Sequence, residues 1–318
     1  MYSEAASWAS IGRLGLWSME LRGSDKGEIN DAAAALDDEG WPAFWIAGAN
    51  GPGLWTDAEG LLSSAPHTSV AFGVMSIWSA DARNAAEQHR RLIATYGRRL
   101  IIGLGVSSPQ SAAAAGREFG TPLTAMTRYL DELDDGSPTL PDADRILGAL
   151  GPRMVALAGE RASGIHPFLV TPESNAANRQ ILGPGALIAP HQAVVLETDP
   201  TKARQIARRG VGVFIGFPSY QANLRRLGFG DDDLIPGGSD RLIDATVAWG
   251  SLDDISRRVH EHWDAGADHV ALQVLSAKPG LPRAEWLELS ALLPASTTSL
   301  CTASATHPPK RCRKVRSS

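Results

Sequence analysis

Arg99-Leu-Ile-Ile-Gly-Leu-Gly-Val-Ser107 is the stretch on which the fold turns. Its apolar run reads as a strand buried on both faces, the pattern of a parallel sheet. The run breaks into Gly103-x-Gly105 and ends in small polar residues. Glycines at the carboxyl end of such a strand let a ligand approach the backbone where no Cβ intervenes. The same design recurs at Phe72-Gly-Val-Met-Ser76 and at Gly148-Ala-Leu-Gly-Pro152. Three strands finishing in small residues predict one flat ligand laid across their ends. Close strand–helix packing is the competing reading at any single glycine. Gly103-x-Gly105 lacks the third glycine and the downstream acid of a dinucleotide fingerprint.

Outward from this stretch, strand-like and helix-like segments alternate from Gly12 to Leu293. Strands are expected over 14–17, 43–46, 70–77, 100–106, 145–150, 165–170, 193–197 and 270–274. Helices are expected over 29–36, 57–64, 81–96, 123–133 and 252–263, with another opening at Pro152, where proline's missing N–H costs nothing. Eight strands interleaved with helices predict a single α/β domain over residues 12–294, a (β/α)8 TIM barrel rather than an open doubly wound sheet. The long segment between the seventh and eighth strands, with Val211–Tyr220 and Leu224–Asp240, reads as a helical insertion and as the natural lid. Residues 1–11 form an amino-terminal extension.

Composition narrows the classes of function. With 43% hydrophobic and 20% charged residues, the 318-residue chain reads as an ordinary globule. No apolar run approaches the roughly 20 residues of a membrane span, and the amino terminus does not read as a signal peptide. Both cysteines, Cys301 and Cys312, fall near the carboxyl terminus, so the body has no thiol for a disulfide, metal or nucleophile. That usage fits a reducing cytoplasm. The tail 295–318 holds five basic residues and no acid, so the body is markedly acidic and would repel nucleic acid. The tail lacks apolar periodicity and is expected to be disordered. No His, Asp or Glu set has metal-ligand spacing, and neither a Gly-x-Ser-x-Gly elbow nor a phosphate loop is present.

Several separate motifs, in order, carry a family resemblance. Gly40-Trp-Pro-Ala-Phe-Trp-Ile46, Gly73-Val74, Gly103-Leu-Gly-Val106, Ala149-Leu-Gly-Pro-Arg-Met154 and Ala162-Ser-Gly-Ile-His166 resemble the bacterial luciferase-like flavin and deazaflavin superfamily. Pro122–Leu130, Asn223–Asp232 and Ala265–His269 are similar to the actinobacterial branch assigned to coenzyme F420. The resemblance spans residues 12–294. It implies a luciferase-like barrel, an oxidoreductase acting on a small-molecule substrate, a deazaflavin or FMN at the carboxyl face, and a homodimer. It implies a non-prolyl cis bond at Gly73–Val74 that backs the cofactor ring, with Ser76 and Gly105 beside it. Val106 and Ser107 would lie along the ribityl chain, and Ala149, Leu150 and Gly151 at the phosphate, where free N–H groups of the Pro152 helix favour an anion.

One departure bears on mechanism. Deazaflavin-dependent sugar-phosphate dehydrogenases of the superfamily carry an acid and then a catalytic histidine at the end of strand two. Here that point reads Trp45-Ile-Ala-Gly-Ala-Asn50. Hydride delivery from a reduced cofactor to an acceptor fits better than alcohol oxidation by a strand-two base. An FMN-dependent monooxygenase and a cofactor-binding protein without turnover are the alternatives. His166 closes the sixth strand and could donate to cofactor or substrate, or be structural. Trp17 and Trp78 close the first and third strands, where they could wall an apolar pocket or simply pack beneath loops. Arg225 and Arg226 could meet the anionic part of the cofactor, or be ordinary exposed arginines.

Overall fold

A computed structural model of the chain describes residues 10–23, 25–48 and 53–294. The basic tail, both cysteines, residues 1–9 of the extension and the Ala49–Asn50 end of strand two lie outside the described residues.

Eleven strands form one sheet: β1 Leu14–Ser18, β2 Ala43–Ile46, β3 Ser69–Phe72, β4 Met75–Ser76, β5 Leu100–Gly105, β6 Arg145–Leu147, β7 Gly164–Ile165, β8 Leu187–Ile188, β9 His191–Val195, β10 Val247–Trp249 and β11 Val270–Val274. The helices are α1 Lys26–Asp38, α2 Leu54–Ser64, α3 Ala82–Tyr96, α4 Pro109–Ala114, α5 Pro122–Asp134, α6 Pro152–Arg161, α7 Glu173–Leu182, α8 Pro200–Ile215, α9 Pro218–Arg226, α10 Asp240–Thr246, α11 Leu252–Asp264 and α12 Arg283–Leu289. Neighbours in the sheet run β10-β9-β11-β1-β2-β3-β5-β6-β7-β8, with β4 beside β5.

The two ends of that order are nearly contiguous in the chain, since only Ala189 and Pro190 separate β8 from β9. On one side, Leu187 N and Ala189 N donate to the Ser163 and Ile165 carbonyls at 2.8 and 3.0 Å. On the other, Ala271 N donates to the Pro190 carbonyl at 2.9 Å. The parallel sheet therefore curls until residues 187–195 join β7 to β11, and strands occupy all eight expected positions. Position three is split by the Gly73–Val74 bulge, and position seven at Pro190, which has no N–H for the ladder. β10 was not foreseen. It pairs with β9 on the side away from β11.

The two-residue period of each strand sorts its side chains between two cores. Phe44, Ile46, Val70, Phe72, Leu100, Ile102 and Leu104 face the helices. Ala43, Trp45, Ala71 and Ile101 alternate with them and fill the interior with Trp17, Ile146 and Ala271. The interior is unusual in holding aromatic and imidazole rings as well as the branched aliphatic residues common in such barrels.

The segment between β9 and β11 is packed. Ala203, Ala207, Val211 and Ile215 of α8 form a core with Leu242 and Ile243 of α10 and Val247 of β10. The helix begins earlier than the expected Val211, and residues 231–239 are turns rather than helix. Asp233 organises those turns by accepting from Ser239 Oγ at 2.7 Å and Gly230 N at 3.1 Å, with Arg241 paired to it at 2.5 Å. No helix among the described residues is long and apolar enough to cross a membrane.

Candidate active site

Between β3 and β4 the chain bulges through a cis Gly73–Val74 peptide bond. Val74 reaches across the ends of β5 and β6. A Cβ on Gly105 would lie 2.5 Å from Val74 Cγ2, and one on Gly148 would lie 3.1 Å from the same atom. A Cβ on Gly103 would meet Val74 Cγ1 at 2.9 Å and the Phe72 carbonyl at 1.9 Å. From the β2 side, a Cβ on Gly48 would fall 2.2 Å from the Val74 carbonyl oxygen. Four glycines thus make room for the bulge. This corrects the expectation that Gly103-x-Gly105 leaves its backbone bare for a ligand, because the vacated space is filled by Val74.

Gly73 is hemmed in from the opposite side. Trp17 Nε1 donates to its carbonyl at 3.1 Å. A Cβ there would sit 2.4 Å from Trp17 Nε1 and 2.9 Å from His166 Nε2. Ser76 pairs with Gly105 through β4 and β5. The Val106 carbonyl accepts from Trp78 Nε1 at 2.5 Å. Ser107 is exposed with a left-handed φ of 58°, a conformation that costs a non-glycine residue about 1–3 kcal/mol. Ala149 is buried, and Leu150 and Gly151 are half-buried, beyond β6. The ten residues expected at a cofactor therefore follow adjacent strands at one end of the barrel. Trp17 and Trp78 do not share a wall: Trp17 belongs to the interior core and Trp78 to the outer one, over the end of β5.

The amino terminus of α6 lies at the same end. Gly151 is its N-cap, Pro152 occupies the first turn, and no side chain caps the free amides. Around a Cβ placed on Gly151, the nearest group is Arg226 Nη2 at 3.5 Å. Arg226 is exposed and touches Asn223 Oδ1 at 3.2 Å. Arg225 instead pairs with Asp231 at 2.7 Å. Free amides, a helix dipole and a guanidinium converge here, a chemistry that suits an anion.

The buried histidines are neutral. Burial holds His166 and His191 down at about 3 and His269 at about 4. His166 Nδ1 meets the Ala189 carbonyl at 2.7 Å, so it carries the proton. Its Nε2 is a buried lone pair without a partner. His166 therefore offers an acceptor, where the sequence suggested a donor. Its ring stacks on Trp45, with centroids 4.3 Å apart, and Trp45 Nε1 donates to His269 Nε2 at 2.9 Å. His191 contacts Gln273 Oε1 at 2.7 Å and stacks on Phe168 at 3.9 Å. Among the described residues no group of three His, Cys, Asp or Glu could hold a metal.

Sequence reasoning missed Gly48, although it repeats the small residue at a strand end seen elsewhere. It also missed Phe168, Phe214 and Tyr220, which gather near the end of β7. Nothing in their spacing signals that meeting, since it depends on how α8 and α9 fold back.

No family model matches the chain. The curled parallel sheet and its helices share their fold with F420-dependent reductases and dehydrogenases and with FMN-bound monooxygenases. A 5,10-methylenetetrahydromethanopterin reductase from Methanolobus tindarius is 25% identical over 305 residues, covering 81% of this chain and 92% of the reductase. Among solved structures, the coenzyme F420-dependent tetrahydromethanopterin reductase of Methanopyrus kandleri superposes with a TM-score of 0.68 at 17% identity, covering 87% and 96% of the two chains. The oxygenating constituent of 3,6-diketocamphane monooxygenase from Pseudomonas putida, in complex with FMN, gives 0.64 at 13% identity, covering 88% and 96%.

Proposed function

We propose that the chain is a coenzyme F420-dependent oxidoreductase, with residues 12–294 as its catalytic unit and a small, mostly apolar organic molecule as substrate. The observation that carries this reading is the Val74 bulge in its glycine nest, set beside the uncapped α6 terminus and Arg226. The bulge would back a flat ring, and the α6 amides with Arg226 would hold its phosphate. When bound, the deazaflavin supplies the hydride chemistry. The chain's own residues position and shield. Trp17 fixes the Gly73 carbonyl, and Val74 fills the space beneath the bulge. His166, neutral and already donating to Ala189, neither supplies nor takes a proton near neutral pH.

FMN is the second reading, favoured by the FMN-bound fold neighbour from Pseudomonas putida. The absence of an acid or histidine in Trp45–Gly48 leaves a third, binding without turnover. Titration with deazaflavin and with FMN, followed by absorbance, tests the assignment. Deazaflavin should bind at least tenfold more tightly, about 1.4 kcal/mol. The reverse order would replace the assignment, and no binding of either would overturn it. Oxidation of the reduced cofactor by carbonyl acceptors then separates an enzyme from a binder. The actinobacterial branch, a homodimer, a cytoplasmic setting and a lid role for residues 211–240 belong to the same proposal.

A further inference from the structure

Five rings run from the barrel interior to the surface. Trp17, buried in the interior, lies 5.9 Å from Phe168, which follows β7. Phe168 lies 4.8 Å from Phe214 in α8 and 6.0 Å from Tyr220 in α9. Phe214 lies 6.1 Å from Phe217, which is 46% exposed at the α8–α9 corner. Phe217 thus presents an aromatic face to solvent at the outer end of a connected ring set.

The ring set is also uncharged. On α8 and α9, Arg204 and Arg208 pair with Asp240 and Arg225 with Asp231, and the cation–ring contacts among the described residues fall on Trp263, Trp78, Trp249 and Phe229, not on these rings. Burial alone pushes the Tyr220 hydroxyl up to about 12, with no charged neighbour contributing. His191, stacked on Phe168, is neutral as well. The Tyr220 hydroxyl is the single polar atom on the four outer rings. It makes no hydrogen bond among the described residues, so its proton is free for an acceptor.

We propose that Phe168, Phe214, Phe217 and Tyr220 form the substrate-recognition wall, and that it takes neutral, planar, carbonyl-bearing compounds. The rings supply stacking faces, and Tyr220 donates to the carbonyl. An anion of the same shape is disfavoured, because no cation stands among the rings to offset its desolvation. The inference rests on the reading that the carboxyl end of the barrel is the working face.

Equilibrium dialysis on the full chain tests this with three probes of matched shape: acetonaphthone, naphthoate and ethylnaphthalene. Each is run with and without deazaflavin. Acetonaphthone should bind saturably, and naphthoate about tenfold more weakly. Phe214→Ala should weaken acetonaphthone about 2- to 10-fold, as loss of an aromatic contact does. Tyr220→Phe should weaken acetonaphthone by a similar factor and leave ethylnaphthalene unchanged. Leu287→Ala, exposed on α12, should change neither. Phe217→Ala, at the exposed end, replaces Phe214→Ala if the latter lowers Tm. Absence of saturable acetonaphthone binding, equal binding of naphthoate, or an unchanged affinity in the folded phenylalanine variant would overturn the wall. An unchanged Tyr220→Phe would overturn the carbonyl contact. The cofactor titration is read separately, so a failed deazaflavin assignment is distinguishable from a failed wall.

Discussion

Gly105→Ala and Val74→Ala should each destabilise the protein, and together they should nearly cancel. The first places a methyl 2.5 Å from Val74 Cγ2, so the valine must move. Overpacking of this kind costs about 1–3 kcal/mol. The second removes two methyl groups from a half-buried site, about 1–2 kcal/mol. Independent effects would sum to about 2–5 kcal/mol. In the double variant, however, the new Cβ meets residue 74 Cβ at 3.7 Å and the Met75 carbonyl at 3.9 Å, both ordinary contacts. It also refills part of the vacated space. The double variant should therefore lose only about 1 kcal/mol, a coupling of about 1–4 kcal/mol. Urea unfolding of the four proteins, with unchanged slope, reads this directly. Gly103→Ala is the internal control. Its Cβ would strike the Phe72 carbonyl at 1.9 Å, a backbone atom that Val74→Ala does not remove, so no rescue should follow. Additivity within about 0.5 kcal/mol for the Gly105 pair would refute the nest.

Acid should unfold the protein early. His166, His191 and His262 are held at about 3 and His269 at about 4 by burial, against about 6.5 in the unfolded chain. Their stability is present above pH 6.5 and is lost as pH falls toward the folded values. By pH 5 each gives up about 2 kcal/mol, about 8 together, comparable to a whole domain's stability. A Tm that stays flat from pH 7 to 5 would contradict neutral burial. Gly151→Asp should weaken deazaflavin about 5- to 150-fold, through repulsion and by engaging Arg226. The same carboxylate should stabilise α6 by only a few tenths of a kcal/mol as an N-cap, since glycine is itself a fair N-cap. Gly185→Asp, in open space, should do neither, and equal binding by both variants would move the phosphate elsewhere.

The strand pattern was legible because each buried strand alternates between two apolar cores, as Ala43, Phe44, Trp45 and Ile46 do. The Gly73–Val74 cis bond came from the resemblance, not from composition or spacing. What the glycines accommodate was not legible. A glycine reports that space is needed, and only the fold shows that Val74 occupies it. Arg226 and Gly151 meet although 75 positions apart in the chain, so neither residue's neighbours announce the contact. β10 escaped notice because three residues, Val247–Trp249, carry too little periodicity to distinguish a strand from the end of α10.

The pairing of β10 gives the barrel two different circumferences. At its base, residues 187–188 lie against β7, and the wall is eight strands around. His191 N still donates to the Pro167 carbonyl beyond β7 at 2.9 Å, and from Ala193 onward β9 has β10 as that neighbour, so the rim carries a ninth strand, about 4.8 Å of extra perimeter. The vessel is flared, with a seam between His191 and Ala193. Below the seam the wall is stitched on both sides. Above it, the flap formed by β10 with α8 and α10 hangs from β9 alone among the strands. Bending at the rim can then alter the width of the mouth while the stitched base keeps its shape.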